Sequence, residues 1–244
     1  MNYKLFASES VCAGHPDKIC DQTSDAILDA AIKIDPYSRI AVETLVTHNR
    51  MVIAGEVTCP EDIPYEKIAR SVIKDLGYTN KEFNFHYQDS PIEVYVHRQS
   101  PDIAQGVNVG GAGDQGMMFG YATDETPELM PLPITLAHRL VERMDEVRQT
   151  KIIPYLRPDG KSEVVVHYYK GTPKEIERVV LAVPHHPDIK PNQLKADLLK
   201  HVVNPILKKY QFKSNGHSMS NIACMYKIPY LHPISPDHKG ILSA

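Results

Sequence analysis

The sequence predicts an α+β protein made of repeated two-layer units, each a mixed sheet with helices on one face. Three observations carry that prediction. Apolar residues recur at helical spacing in four separate stretches. Between them lie β-branched runs that read as strands and come in adjacent pairs. The order helix, strand, strand, helix also occurs twice: 163–169 answers 41–47, 179–183 answers 52–56, and 191–203 answers 64–76. A two-layer unit leaves its second sheet face uncovered, so the repeats stack on each other or a second copy of the chain supplies the cover.

Taken in order, Lys4-Leu5-Phe6-Ala7 is a short apolar strand. Gly14-His15-Pro16-Asp17-Lys18 then sets an imidazole, a carboxylate and an ammonium side by side. Pro16 fixes its own φ and pushes His15 toward extended conformations, and Gly14 permits an approach that a Cβ would block. A helix is expected from about Thr23 to Ile34, with N-cap oxygens offered between Cys20 and Asp25. Its stripe is Ile27, Leu28, Ala31 and Ile32, with Asp25, Asp29 and Lys33 opposite. The turn therefore lies near a helix N-terminus, where phosphate binds readily. Asp17 repels phosphate unless a divalent cation lies between them, the usual arrangement for Mg²⁺.

Residues 39–46 and 51–57 read as a hairpin. With Asn49-Arg50 as its loop, His48 pairs with Met51 and Glu43 faces Glu56. Like charges directly opposite are destabilising, so either a cation sits near them or both decorate a solvated face. Pattern alone leaves both readings open. A second helix runs over 64–76 with Gly77 as its stop, and a strand follows at 92–96. The stretch 99–111 is rich in glycine and polar residues without period, a long loop of the kind that covers binding sites. Gly111-Ala112-Gly113-Asp114-Gln115-Gly116 fits the dinucleotide fingerprint in letters only, since no strand precedes it and no acidic strand end follows at the right distance.

A third helix spans 134–148, with Leu136, Leu140, Met144 and Val147 inward. Residues 156–162 form a turn, 163–169 and 177–183 a strand pair, and 191–207 a fourth helix begun by Pro191. The chain thus divides into an N-terminal α+β unit (1–98), a flexible loop (99–112), which the resemblance described below implies is an active-site loop, a middle α+β unit (113–211) and a divergent tail (212–244) without clear period.

Composition sets the outer limits. The 244 residues suffice for one large or two modest domains, and a net charge of −3 gives no electrostatic case for nucleic acid or a membrane surface. Cys12, Cys20, Cys59 and Cys224 form no C-x-x-C pair, which argues against zinc and against a disulfide framework. Free thiols fit a reducing cytoplasm. No apolar run is long enough to span a bilayer.

Three motifs, in this order and spacing, resemble the S-adenosylmethionine synthetases (methionine adenosyltransferases). They are Ser8 to Lys18, as Ser-Glu-Ser-Val-x-x-Gly-His-Pro-Asp-Lys; Gln99-Ser100-Pro101-Asp102-Ile103; and Gly111 to Gly116. The likeness runs from about Tyr3 to about Tyr210. It implies transfer of the adenosyl group of ATP to the sulfur of L-methionine, with release of phosphate and diphosphate. It implies His15, Asp159 and Lys161 at ATP, with His15 and Lys161 against phosphate oxygens and counted as catalytic. Glu56, Gln99 and Asp114 would hold methionine, Asp17 magnesium and Glu43 potassium. The family has three α+β units around a pseudo-threefold axis, and its chains pair by their flat sheet faces as a homodimer or a dimer of dimers. Its third unit, with further Arg and Lys residues, has no counterpart between Phe212 and Ala244, so the chain resembles a truncated member. The alternative is a non-catalytic fragment that keeps the dimer face and partial ATP and methionine sites.

Overall fold

The computed structural model describes residues 3–98, 116–210 and 222–225. The loop 99–112, and with it Gln99, lies outside the described residues, as does Asp114. The architecture is α+β, as expected: two sheets, each with helices on one face.

The first sheet holds β2 (Arg39–Thr47), β3 (Arg50–Thr58) and β4 (Ile92–Arg98) in that order, with β4 parallel to β3. Two helices, α1 (Pro16–Ile34) and α2 (Tyr65–Asp75), cover one face. Met51 and Ile53 from β3 lie fully buried with Ile27 and Ala31 of α1 and Ala69 and Ile73 of α2. The hairpin register differs from the expected one. His48 and Asn49 form the loop, because Asn49 takes the left-handed conformation (φ 52°) and Arg50 returns to the ladder opposite Thr47. The ladder therefore slides by two, so Glu43 faces Ala54 and Glu56 faces Ala41. Both glutamates stay on one face because the side-chain period is two, yet they are diagonal neighbours and not opposed. Gly55 is required here: its φ is +147°, and a Cβ would stand 2.0 Å from the Ala41 carbonyl oxygen.

The second sheet has the order β1-β5-β6-β7. Its strands β5 (Lys161–Tyr169) and β6 (Thr172–Ala182) are antiparallel, and β7 (Ile222–Met225) is parallel to β6. Helix α3 (Leu132–Gln149) lays Leu136, Leu140, Met144 and Val147 against Val164, Val166, Val179 and Leu181. The helix–strand–strand–helix–strand order of the first unit is thus repeated.

Three features depart from the sequence reading. Strand β1 (Tyr3–Val11), read as part of the 1–98 unit, pairs with β5 and so joins the second sheet. Residues 222–225, assigned to a divergent tail, supply β7 in the position that β4 holds in the first sheet. Four residues are too few to display an alternation. The helix expected over 191–207 is interrupted: α4 (Pro191–Leu198) passes through a π turn at Leu199–Val203 into α5 (Asn204–Lys209). Pro205 has no N–H for the carbonyl of His201, four residues back, and the Arg143 guanidinium donates to that oxygen instead (2.9 Å).

Candidate active site

The turn between β1 and α1 crosses from the second sheet to the helix that covers the first. Val11 pairs with Lys161, and the Cys12 N–H donates to the Gly160 carbonyl (2.8 Å). The turn at 12–18 therefore lies directly beside the turn at 157–161. Gly14 is pressed against Pro158, where a Cβ would stand 2.5 Å from the proline Cβ. No residue but glycine fits this approach without displacing the second turn.

Helix α1 begins earlier than expected. His15 is its N-cap, extended at φ −67°, ψ 143°, and Pro16 its first residue. The run Cys20 to Asp25 is therefore helix interior and not a cap. The cause is local: Pro16 suits the first helical position, and the His15 Nδ1 accepts the otherwise orphan N–H of Asp17 (3.2 Å). With Nδ1 accepting, a neutral ring carries its proton on Nε2. His15 is buried, whereas the Asp17 side chain is 88% exposed. Asp159 turns back to accept the Gly160 N–H (2.7 Å), and Lys161 is exposed at the start of β5. A cavity of about 390 Å³ opens behind the turn, lined in part by Pro16, Tyr78, Phe83, Arg157 and Asp159. There Arg157 stacks over the Phe83 ring at 5.0 Å.

The structure thus brings His15 and Asp17 together with Asp159 and Lys161. It sets Glu43 and Glu56 elsewhere, on the face of the first sheet turned away from α1. Thr44, next to Glu43, donates to the Cys20 carbonyl of α1 (2.8 Å), so strand alternation points Glu43 away from the helix. Glu56 meets His97 of β4 across the parallel ladder, with Nε2 3.3 Å from Oε1. This open face also carries Leu45 and Tyr95, 58% and 61% exposed.

Sequence reasoning missed the side chains that hold the turn from behind. Asp145 of α3 accepts the Ala13 N–H (2.8 Å), Tyr78 donates to the Gly14 carbonyl (2.5 Å), and Gln22 donates to the Ala13 carbonyl (2.8 Å). Burial pushes the Tyr78 hydroxyl well above the usual phenol range, with the Asp159 carboxylate adding to the effect. The Cys12 thiol is likewise raised, by burial first and then by Asp145 and Asp159. It is no nucleophile at neutral pH. No local sequence signal marks Asp145, which lies 132 residues from its partner.

Among the described residues, no three His, Cys, Asp or Glu side chains converge as a ready-made metal cluster, and no helix is long and apolar enough to cross a membrane. A histidine-capped helix N-terminus, an exposed carboxylate and a lysine-bearing turn thus adjoin on a duplicated α+β scaffold. Comparison with known proteins gives the family. Residues 3–101 match the S-adenosylmethionine synthetase N-terminal domain, and residues 109–224 its central domain. The chain belongs to the S-adenosylmethionine synthetase family. Its relatives include the S-adenosylmethionine synthase of Roseiflexus castenholzii, 47% identical over 221 residues that make up 83% of this chain and 55% of that one. That of Pseudothermotoga lettingae is 48% identical over 229 residues, 87% and 58% of the two chains. That of Desulforudis audaxviator is 46% identical over 217 residues, 83% and 55%. The chain spans a little over half the length of these relatives.

Proposed function

We propose that this chain carries the N-terminal and central parts of a methionine adenosyltransferase site, in which the triphosphate of ATP lies along the turn at residues 14–18. The observation that carries the reading is the pairing of Val11 with Lys161, which sets the N-terminus of α1 beside Asp159-Gly160-Lys161. Attack by a thioether sulfur on the ribose 5′ carbon needs no general base. The protein's task is then alignment of the reacting atoms and neutralisation of the departing polyphosphate. The His15 Nε2–H and the Lys161 ammonium are donors for its oxygens, and the first N–H groups of α1 add to them. Asp159 is assigned to ATP alongside them.

The donor set fits a magnesium ion shared with substrate phosphate: a single exposed carboxylate, Asp17, leaves the remaining positions to phosphate and water. When bound, the ion supplies charge neutralisation. Glu43 is the donor for a potassium ion, which would also offset repulsion from its diagonal neighbour Glu56. Glu56 is assigned to the methionine ammonium, together with Gln99 and Asp114. The open face bearing Leu45 and Tyr95 is assigned to pairing with a second copy, which would close the site.

The test is titration of MgATP into the chain, followed by assay of phosphate release with L-methionine. His15→Ala and Lys161→Ala are each expected to weaken MgATP binding by about tenfold or more. Leu45→Lys is expected to shift the sedimentation coefficient toward the monomer. MgATP binding without phosphate release would leave the non-catalytic fragment as the correct reading. Full affinity in both alanine variants would reject the site.

A further inference from the structure

We propose that Asp145 is a positioning residue for the phosphate turn, acting on it from the second unit; this rests on the phosphate reading given above. The peptide groups of Ala13 and Gly14 are gripped by three side chains from separate parts of the chain: Asp145 of α3, Gln22 of α1, and Tyr78 just beyond α2. Asp145 alone of these is ionised, and a carboxylate on a backbone N–H makes the stronger, charge-assisted kind of hydrogen bond. Its second oxygen takes Arg148 Nη2 at 3.3 Å, and the two side chains are only 15% and 13% exposed. Arg148 in turn lies against Gly77, at the point where the first unit leaves α2.

The geometry makes the pair a lever. One arm is anchored on α3 by the i, i+3 spacing of Asp145 and Arg148. The other fixes the Ala13 N–H, two residues before the imidazole that caps α1. Removing the carboxylate frees the Ala13 peptide to rotate, and His15 then loses its aim at the phosphate. Misplacement of a binding group by an ångström is enough to cost about a hundredfold in a positioned reaction. The competing explanation is that Asp145 only ties the two units together.

The experiment uses the full chain, with Asp145→Ala, Asp145→Asn and, as a control of lowered stability with the turn untouched, Arg143→Met. Affinity for magnesium tripolyphosphate is measured by calorimetry, and amide exchange at Ala13 and Asp17 by NMR. The Ala variant is expected to lose about tenfold in affinity and to exchange faster at both amides. The Asn variant, which keeps an acceptor oxygen, is expected to recover most of that loss, and Arg143→Met to bind as the unaltered chain does. The proposal is overturned if the Ala variant binds normally, or if Arg143→Met loses affinity in the same proportion to its loss of stability. If the unaltered chain binds no tripolyphosphate, the phosphate reading falls. Unchanged exchange at Ala13 and Asp17 in the Ala variant would overturn the positioning role on its own.

Discussion

The two units share one plan and differ in what has been added to it. In each, a long helix precedes an antiparallel strand pair, a shorter helical stretch follows, and a third strand lies parallel to the second. The first unit keeps three strands. The second gains a fourth, because β1 pairs along the outer side of β5. Among the described residues that strand has no counterpart in the repeat, and the candidate site follows from it. The chain leaves β1 in one unit and enters α1 in the other, so the turn at 12–15 has to cross the junction. The duplicated parts supply rigid cores. Strand β1 supplies the crossing, and the crossing supplies the charged turn.

The sharpest way to break the comparison lies at matched positions of the two hairpins. By the repeat, Gly55 of β3 answers Ala182 of β6. Gly55→Ala puts a Cβ within 2.0 Å of the Ala41 carbonyl at a φ of +147°. It is expected to cost more than about 4 kcal/mol, enough to unfold the first unit at room temperature. The reverse change, Ala182→Gly, is expected to cost only about 1 kcal/mol, the usual entropic penalty of glycine in a strand. Thermal unfolding followed by circular dichroism measures both. Equal losses would mean that the two hairpins are built alike after all.

An intermediate effect is expected where the second unit departs from the first in its helices. Helix α2 is uninterrupted, whereas α4 and α5 are joined by a π turn whose freed carbonyl, on His201, is taken by Arg143. Arg143→Met keeps the stem and removes the donor. It should destabilise the chain by about 1–3 kcal/mol, the cost of leaving a sheltered acceptor without its charged partner. A chemical-denaturation midpoint unchanged from the parent would show that water replaces the guanidinium freely.

These contrasts also show what a linear reading captures. The stripes of α1 and α3 gave both helices, because a period of 3.6 is written locally; the α3 stripe is buried as expected, whereas in α1 only Ile27 and Ala31 of the expected stripe are buried, with Ile19 and Thr23, and Leu28 and Ile32 are exposed. The duplication was visible for the same reason, and so was the charged turn, whose residues adjoin in sequence. The register of the first hairpin was not. It depended on which of three adjacent residues, His48, Asn49 or Arg50, would leave the ladder, and Asn49 decided it by adopting positive φ. The exchange of β1 into the second sheet was equally hidden, since Lys4 to Ala7 suits an edge strand of either unit. Asp145, Tyr78 and Pro158 were out of reach because their relation to the turn exists only in three dimensions. In each case the missing information was tertiary: a pairing choice between near-equal local options.

The smallest effect concerns an acid-sensitive clasp in the second unit. Glu128 accepts from the Tyr210 hydroxyl at 2.6 Å and from Arg139 at 3.0 Å, joining the end of α5 to α3. The tyrosine hydrogen bond first, and then that of Arg139, hold its carboxyl down to about 2 from an ordinary value of 4.5. A carboxylate with a depressed folded-state value stabilises the fold above its unfolded value and loses that contribution as the pH falls. The contribution should therefore be full above about pH 4.5 and fade toward pH 2. Because the group is solvent-exposed, the effect should be small and weaker in high salt. The first unit has its own clasp, in which Lys81 holds the Asp89 carboxyl below its usual range by a hydrogen bond, with His86 adding to it. Glu128→Gln should flatten only the second unit's share of the acid dependence, leaving a residual slope that Asp89→Asn removes. The measurement is the difference in melting temperature between variant and parent, followed from pH 6 down to pH 2.5. A difference that stays constant over that range would mean that the Glu128 contact acts by shape and not by charge.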